Sequence, residues 1–397
     1  MNRREVKRAP ALRFKGFTND WEQRKLGDVL SKFDYGLNSA SSDYDGKNKY
    51  LRITDIDEQT HRFNLDNLTS PKVDLKNKDN YILHPGDIVF ARTGASVGKT
   101  YKYREDDGRV YFAGFLIRGR INKNFDTSFI FDTTLLPKYS NFVKITSIRS
   151  GQPGINSDEY KKYVINIPTI NEQKYISKLI TNLEELITLQ QRKLTELQLL
   201  RTSLNQQLLK DNSSWKSVKL REILNIRNKQ IFPNQQYPLM SFVQKQGVVP
   251  KSQRYNRDFL VKGNKKYKVT EKGDFIYSSN NLETGSIGIN KTGNATISPV
   301  YSVFSSKNYK ESLFIGLLSE KKSFIYKMIR FRQGVVYGQW KIPEKDFLNI
   351  KIKIPNYQEQ EKIITLFTHI DNQFKQENKK LTDLQNFKQF LLQNMFI

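Results

Sequence analysis

The chain repeats itself, and this internal repeat constrains the fold more than any other feature of the sequence. Four matches recur in the same order in both halves, the first offset by 194 residues and the others by 187. The matched elements are Trp21–Leu30 with Trp215–Leu224, Tyr50 with Tyr237, Gly86–Phe90 with Gly273–Tyr277, and Ile167–Gln173 with Ile354–Gln360. Ordered matches at nearly constant spacing indicate a tandem duplication, so each half should form the same structural unit.

Each half has the same internal order, in which a region of mixed pattern precedes a long helix. Short β-rich runs such as Asp87–Phe90 and Ile350–Ile354 are broken by Gly, Pro and Asn. A Pro followed by Glu-Gln then marks the helix start, where negative charge suits the helix dipole. The predicted segments are a basic N-terminal arm (1–20), a first domain (21–168), a central helix (169–210), a second domain (211–356) and a C-terminal helix (357–397).

The fold class predicted from these segments is α+β, with two mixed α/β domains in tandem joined by two long helices that form an antiparallel coiled coil. In both helices apolar residues alternate at four- and three-residue spacing, the period of a coiled coil. The apolar seam positions are Ile176, Ile180, Leu183, Ile187, Leu194, Leu197, Leu204 and Leu208 in the first helix, and Ile363, Phe367, Ile370, Phe374, Leu381, Leu384, Leu391 and Met395 in the second. A helix packed only on its own domain would show a broader apolar stripe with a period of 3.6 residues. About 40 residues at 1.5 Å each would make a rod of roughly 60 Å.

Four polar residues interrupt the apolar seams of these helices at equivalent positions. They are Gln190 and Arg201 in the first helix, and Glu377 and Lys388 in the second. Charges buried in a seam need partners. An antiparallel register with Arg201 opposite Glu377 also brings Gln190 opposite Lys388, and we predict this register.

The charge balance indicates an anionic partner. Sixty-six Lys and Arg against 40 Asp and Glu leave a net charge of +26. Nucleic acid is the commonest partner of such a chain, although a Lys-rich composition without that role is an alternative. A membrane surface is the rival, but no apolar run approaches the ~18–20 residues that span a bilayer. The first eight residues lack the apolar stretch of a signal peptide.

The absence of cysteine excludes disulfides and thiol catalysis and fits a reducing compartment, so a cytoplasmic location is expected. The three histidines, His61, His84 and His369, are far apart in the chain. Neither a zinc site nor a Ser-His-Asp triad is therefore expected from them. We predict no metal site and no catalytic residues.

Motifs that resemble catalytic ones are incomplete. The stretch Thr93–Thr100 resembles a phosphate-binding P-loop, but Thr93 stands where the first Gly of that motif belongs. The sequence contains no Asn/Asp-Pro-Pro-aromatic loop of the kind that adenine methylation needs. Paired acids such as Asp106 and Asp107 read as solvated turn residues rather than as a nuclease metal site. The sequence therefore favours a binding protein over an enzyme.

Two loop regions in each half carry side chains of the types that read base edges or bind phosphate. In the first half the candidates are Arg92, Thr93, Ser96 and Lys99 after the Gly-Asp strand, and Arg149, Ser150, Gln152 and Asn156 before the helix. In the second half they are Ser279, Asn280 and Asn281, and then Arg330, Arg332, Gln333, Tyr337, Gln339 and Lys341. Each residue alone could be a solvated loop residue, but their clustering in equivalent places predicts a DNA-binding surface.

Together these motifs resemble the specificity subunit of type I restriction-modification systems. The resemblance rests on the paired W-x(3)-K-L-x-[DE]-[IV]-L starts, the Gly86–Gly98 stretch, the Gly151–Asn156 loop and the Ile-Pro…Glu-Gln helix starts, and spans Trp21 to Phe396. It implies two target-recognition domains, each reading one half of a split double-stranded DNA sequence. It also implies that the two helical regions pack antiparallel and act as a ruler between the halves.

The resemblance further implies partners. Two methylation subunits would dock on the helices to make an adenine methyltransferase, and two restriction-translocation subunits would join them. S-adenosylmethionine, ATP and Mg²⁺ would be bound by those partners, and this chain would bind no cofactor. The second half departs from the first, because Ser278–Gly285 has eight residues where Ala91–Gly94 has four. Two alternatives remain open: a methyltransferase or nuclease acting alone, and a basic RNA-binding scaffold.

Overall fold

Each copy of the repeat folds around an antiparallel four-stranded sheet. The computed structural model describes residues 9–149, 151–210, 212–243, 247–250, 265–284, 286–335 and 339–397. The chain divides into two compact units, unit 1 with Met1–Arg192 and Lys379–Ile397, and unit 2 with Lys193–Asn378. The C-terminal stretch therefore belongs to the same unit as the N-terminal half. The predicted division into five sequential segments stays a prediction.

The central sheet of unit 1 has the strand order β2-β9-β6-β7. The described strands β1 to β10 are Glu22–Lys25, Leu30–Tyr35, Ser41–Asp43, Lys49–Leu51, Thr69–Pro71, Asp87–Ala91, Thr100–Lys102, Val110–Phe112, Leu116–Ile121 and Val164–Ile167. The short helices α1 to α3 are Thr127–Thr133, Pro137–Thr146 and Ser157–Lys161. Outside the sheet, β1 pairs antiparallel with β10, β3 antiparallel with β5, and β4 parallel with β8.

Unit 2 repeats this plan after the long helix α4, Ile170–Leu208. The described strands β11 to β23 are Lys216–Lys219, Leu224–Ile226, Gln230–Ile231, Met240–Val243, Gly247–Pro250, Tyr267–Thr270, Phe275–Tyr277, Ile287–Ile289, Ala295–Ile297, Ser302–Ser306, Gln333–Val335, Gln339–Lys341 and Lys351–Ile354. The helices α5 to α8 are Tyr309–Leu318, Lys322–Ile329, Glu344–Asn349 and Tyr357–Asn394. The sheet β12-β20-β17-β18 matches β2-β9-β6-β7 strand for strand, and β11 pairs with β23 as β1 pairs with β10. The predicted duplication is confirmed at the level of strand pairing.

The repeated Gly-Asp dipeptide forms the turn that leads into the central strand of each sheet. Gly86 and Gly273 both have a φ of +93°, a left-handed conformation that glycine adopts without steric cost. The buried carboxylate of Asp87 accepts hydrogen bonds from the backbone N–H of His84 at 2.9 Å and from Arg120 at 2.7 and 2.9 Å. Asp274 repeats this with the backbone N–H of Glu271 and the side chain of Arg227. The dipeptide therefore serves the scaffold.

The repeated Glu-Gln pair fixes the first turn of each long helix. The Nε2 atoms of Gln173 and Gln360 each donate to the carbonyl of the proline five residues earlier, at 2.9 Å in both units. Both glutamine side chains are buried. Each helix therefore starts with a side-chain bond that ties it to the end of the preceding strand.

The heptad seams predicted from the sequence are confirmed by burial. Every predicted seam position from Ile176 to Leu208 and from Ile363 to Met395 is buried or half-buried, including the polar ones. The two long helices run antiparallel within unit 2, because Lys193 contacts Glu377 at 2.8 Å whereas Arg201, further along α4, contacts Asp371, earlier in α8.

The register of the helices differs from the predicted one by about one heptad. Arg201 does not face Glu377 but pairs at 2.6 Å with Asp371, which lies six residues before Glu377. Lys388 does not face Gln190 but pairs at 2.7 Å with Glu184. Because the apolar seam repeats every seven residues, registers that differ by one heptad bury the same kinds of residue. Only the charged residues distinguish one register from the other. The observed register gives each seam cation an acid on the opposite helix.

These ion pairs are equivalent in the two units and extend into the domains. In unit 1, Glu184 also contacts Arg104 of the domain at 3.3 Å. In unit 2, Asp371 contacts Lys291 at 3.4 Å, and each of these residues lies 187 positions after its unit 1 counterpart. Although burial opposes it, the charge of Lys388 and neighbouring cations lowers the pKa of Glu184. Each triad therefore joins both long helices to the mixed α/β domain of its unit.

Part of the predicted N-terminal arm is packed rather than extended. Residues 1–8 lie outside the described residues, whereas Arg13 makes a two-pronged contact with the buried carboxylate of Glu172, at 2.6 and 2.8 Å. The backbone N–H of Leu12 donates to the carbonyl of Asn394 at 2.8 Å. Within the described ranges, no helix combines the length and apolar character of a membrane span.

Candidate nucleic-acid interface

The two predicted DNA-binding loops of unit 1 lie side by side at the end of strand β6. The carbonyl of Arg92 accepts from the backbone N–H of Ile155 at 2.9 Å, and the N–H of Gly94 donates to the carbonyl of Pro153 at 3.0 Å. Thr93 and Gly154 form an isolated antiparallel β-bridge. Residues 92–99 and 151–156, which are far apart in the sequence, therefore form one surface.

An aromatic ring holds the first candidate arginine. The guanidinium carbon of Arg92 lies 5.0 Å from the ring centroid of Tyr35, within cation–π distance. The hydroxyl of Tyr35 accepts from the backbone N–H of Ser157 at 3.2 Å and lies 3.3 Å from its Oγ. Bonding to Ser157 and the charge of Arg92 lower the pKa of Tyr35. Tyr35, which the sequence did not single out, therefore links both loops.

The segment that resembles a P-loop is a turn between strands. Gly94–Ser96 is one turn of 3₁₀ helix and Thr100 begins strand β7, so no α-helix N-terminus faces a phosphate here. Gly98 has a φ of +86°, and a Cβ at that position would lie 2.5 Å from Val143. Lys99 lies 3.9 Å from the exposed Glu58. The glycines serve a tight turn, in agreement with the incomplete motif.

Two candidates before the long helix have structural partners. The Oδ1 of Asn156 caps α3 by accepting from the N–H of Glu159 at 2.9 Å. Arg149 pairs with the same Glu159 at 2.5 Å and donates to two carbonyls of its own loop. Their contact with DNA stays a prediction, and Ser150 lies outside the described residues. Gln152 is exposed beside Gly94 and has the clearer access to a ligand.

Unit 2 brings its two candidate regions together in the same way. The Oγ of Ser279 accepts from the backbone N–H of Ile342 at 2.9 Å, and the Oδ1 of Asn280 accepts from the N–H of Trp340 at 2.6 Å. These bonds place the loop after β17 against the hairpin of β21 and β22. Ser279 is buried and therefore positions the loop, whereas Asn281 is exposed.

An aromatic ring also holds an arginine in unit 2, but a carboxylate holds it too. The guanidinium of Arg332 lies 5.6 Å from the ring of Trp340 and makes a two-pronged ion pair with Glu283 at 2.7 and 2.8 Å. Neither Trp340 nor Glu283 was among the predicted residues. Trp340 lies between two candidates in the sequence, and Glu283 lies in the longer loop Ser278–Gly285, so both had a local signal.

The remaining candidates of unit 2 lie on or beside the same hairpin. Gln333 and Lys341 face each other across the two strands and are exposed, and the exposed Arg330 follows helix α6. Gln339 pairs through its backbone with Val335. Tyr337 lies outside the described residues. The site residues as DNA contacts stay predictions.

The described residues contain no group of three or more His, Asp or Glu side chains that could hold a metal ion. The candidate residues themselves offer hydrogen bonding and positive charge. Arginine, amide and hydroxyl groups on loops suit phosphate oxygens and base edges.

Comparisons with known proteins agree with these features. The family model of the type I restriction modification DNA specificity domain matches residues 18–199 and 212–386. A protein of Methanocaldococcus jannaschii, provisionally described as the specificity subunit of the type I restriction enzyme MjaX, is 23% identical over 402 residues, covering 94% of this chain and 92% of the relative.

Solved structures show the same fold at low sequence identity. A type I restriction-modification S subunit from M. genitalium superposes with a TM-score of 0.67 at 15% identity, covering 98% of this chain and 99% of the other. A chain from a study of complex assembly and conformational transition of the type I R-M system gives a TM-score of 0.52 at 15% identity, covering 95% and 97%.

Proposed function

Because this chain belongs to the family of type I restriction-modification DNA specificity proteins, we propose that each unit reads one half of a split double-stranded DNA target through its paired loops. As a member of that family, the chain is the non-catalytic subunit that gives such a complex its DNA sequence recognition. Family membership argues against the alternative of a methyltransferase or nuclease that acts alone. The observation that carries the proposal is the convergence of two loop regions, in equivalent places, in both units.

The physical basis of the proposed reading is a division of labour among the loop residues. The net charge of +26 supplies cations for phosphate contacts, which are sequence-independent and sensitive to salt. Amide and guanidinium groups on the paired loops supply base contacts, which choose the sequence. Backbone hydrogen bonds between the loops fix these groups before DNA arrives, and this lowers the entropy lost on binding.

The chain assembles with other subunits of a type I system. We propose that two methylation subunits dock on the long helices and that two restriction-translocation subunits join them. S-adenosylmethionine, ATP and Mg²⁺ would be bound by these partners, and the complex would work on DNA in the cytoplasm. On the helices of unit 1, an apolar patch supports the docking proposal: Leu186, Leu189, Phe387 and Phe390 are each about half exposed.

The geometry of the helix pair places these four residues on one side of it. Leu186 and Phe387 each directly precede a seam residue, and in an antiparallel pair such positions line the same side. The ion pair between Glu184 and Lys388 places Leu186 and Phe387 at the same height along the helix pair. Exposed apolar patches of this kind mark protein interaction sites. We define these residues as the helix patch of unit 1.

Salt dependence and nucleic-acid competition test the proposed function. Binding of duplex DNA by the complex should weaken with salt at a log–log slope of roughly −0.9 per neutralised phosphate. Duplex RNA should compete poorly, because its deep, narrow major groove denies side chains the base edges. A flat salt response, or RNA competing as well as DNA, would contradict DNA reading and favour the RNA-binding alternative.

A further inference from the structure

Most described arginines of unit 1 pair with a carboxylate, and Arg92 differs from them in this respect. Eight arginines of this unit lie within ion-pair distance of a carboxylate: Arg13, Arg24, Arg52, Arg104, Arg109, Arg118, Arg120 and Arg149. No carboxylate among the described residues pairs with Arg92, and its buried Nε has no hydrogen-bond partner there. An arginine on a candidate DNA-binding loop thus keeps its charge for an outside ligand.

The position of Arg92 is fixed from three sides. Its backbone N–H donates to the carbonyl of Phe115 at 3.0 Å, and its carbonyl accepts from Ile155. Its guanidinium lies over Tyr35, whose hydroxyl is tied to Ser157. A fixed backbone and a ring contact limit the positions open to the guanidinium, so less conformational freedom is left to lose on binding.

We propose that Arg92 reads a guanine in the half-site bound by unit 1, and that Tyr35 is the positioning residue that presents it. The inference rests on the proposed function and adds a base and a second residue to it. A guanidinium donates two parallel hydrogen bonds to the O6 and N7 of guanine, the commonest specific arginine contact in the major groove. A tyrosine ring leaves the positive charge of the guanidinium without a counter-charge, whereas a carboxylate would neutralise it and compete for its donors.

The surroundings favour a base over a phosphate as the ligand. A phosphate contact needs charge but no defined plane, and a mobile lysine supplies it as well. Arg92 lies between two loops whose neighbouring side chains, Thr93 and Gln152, are neutral hydrogen-bonding groups suited to base edges. The substitution Arg92→Lys therefore distinguishes a base contact from a phosphate contact, because lysine keeps the positive charge but lacks the planar pair of donors.

The experiment selects bound duplexes from a random library with the complex of this chain and its methylation subunits. The wild-type complex should require guanine at one position of one half-site. Arg92→Gln and Arg92→Lys should both lower the preference for that guanine by about 10- to 100-fold and leave the other half-site unchanged. Tyr35→Ala should relax the same position, and Tyr35→Phe, which keeps the ring, should restore most of the preference.

Arg109→Lys is the matched control, because Arg109 also lies over a tyrosine, at 5.5 Å from Tyr111, but pairs with Asp79. It should leave the selected sequence unchanged. The inference is overturned if Arg92→Lys keeps wild-type selectivity, or if the Arg92 variants weaken binding evenly across sequences with a lower salt slope, as a phosphate contact predicts. Failure of the wild-type complex to select any sequence would instead overturn the proposed function.

Discussion

The two candidate interfaces share a scaffold and differ in how each holds its arginine. In unit 1, Arg92 lies on Tyr35 with no carboxylate partner among the described residues. In unit 2, Arg332 lies on Trp340 and is also clamped by Glu283. If both arginines bind DNA as proposed, the first can do so as it stands, whereas the second would have to exchange a carboxylate for its ligand.

The comparison separates what the duplication keeps from what it changes. The Gly-Asp turn, the sheet order, the Gln-capped helix starts and the ion triads are equivalent in both units. The loops that carry the two arginines are not equivalent in length or in partners. On the proposed function, a fixed frame with variable loops would let each unit take its own half-site without altering the other.

The helices offer the first test, because their exposed faces differ between the units. Phe387 of the helix patch corresponds to Leu200, but the other patch residues of unit 1 correspond to Gln373, Gln376 and Ser203 in unit 2. Phe387→Glu should weaken docking of a methylation subunit by at least about tenfold, since burying a phenylalanine contributes roughly 1.5–3 kcal/mol and a buried charge adds cost.

Leu200→Glu should weaken docking less, because its surroundings are more polar. Titration of this chain with the methylation subunit, followed by sedimentation, measures both effects. Ile145→Glu, at a 73% exposed position on α2, serves as the control. Equal losses for the two helix variants would show that the docking surfaces are alike despite their composition.

The seam cations give the second test. Arg201 contacts Glu320 as well as Asp371, and Asp371 keeps Lys291 as a second partner, while Lys388 contacts Glu184, which keeps Arg104. Arg201→Met should therefore lower the free energy of unfolding by about 3 kcal/mol, and Lys388→Met by about 2 kcal/mol or less, because unpartnered buried charge is what costs stability. Denaturant unfolding of the two variants compares them directly. A larger loss for Lys388→Met would contradict the ion pairing described for unit 2.

The smallest effect concerns the clamp on Arg332. Glu283→Gln should raise the affinity of the complex for DNA by about fivefold, since the ligand would no longer displace a charged hydrogen bond. Glu58→Gln removes the same charge from unit 1 at an exposed position 3.9 Å from Lys99, and it should change affinity less. Fluorescence anisotropy with one labelled duplex measures both variants. Equal changes in affinity for the two variants would show that Glu283 acts through its net charge and not through its contact with Arg332.

Sequence reasoning predicted the features that repeat. The duplication and the seam positions follow from periodic patterns, the antiparallel helices are implied by the resemblance, and the structure confirms all three. The register was wrong by about one heptad because an apolar repeat cannot distinguish shifts of its own period. The ion pairs of Asp371 and Glu184 distinguish the registers, but these two residues lie beside the seam, so the seam pattern does not include them.

The candidate site was predicted as two pairs of loops, and the loops do meet. What the sequence could not show is which side chains are committed to the scaffold. The cap made by Asn156 and the buried bond of Ser279 depend on backbone groups placed by the fold. Tyr35 reaches Arg92 from 57 residues away, and no local pattern reports such a contact.

Exchange of one domain tests the central claim, that each unit reads its own half-site, most directly. Residues 21–150 would be replaced by the equivalent region of another family member, and methylated adenines would be mapped in cells that carry the intact system. The account predicts that one half of the recognised sequence changes while the other half and the gap between them stay the same. A change in both halves together, or in neither, would contradict it.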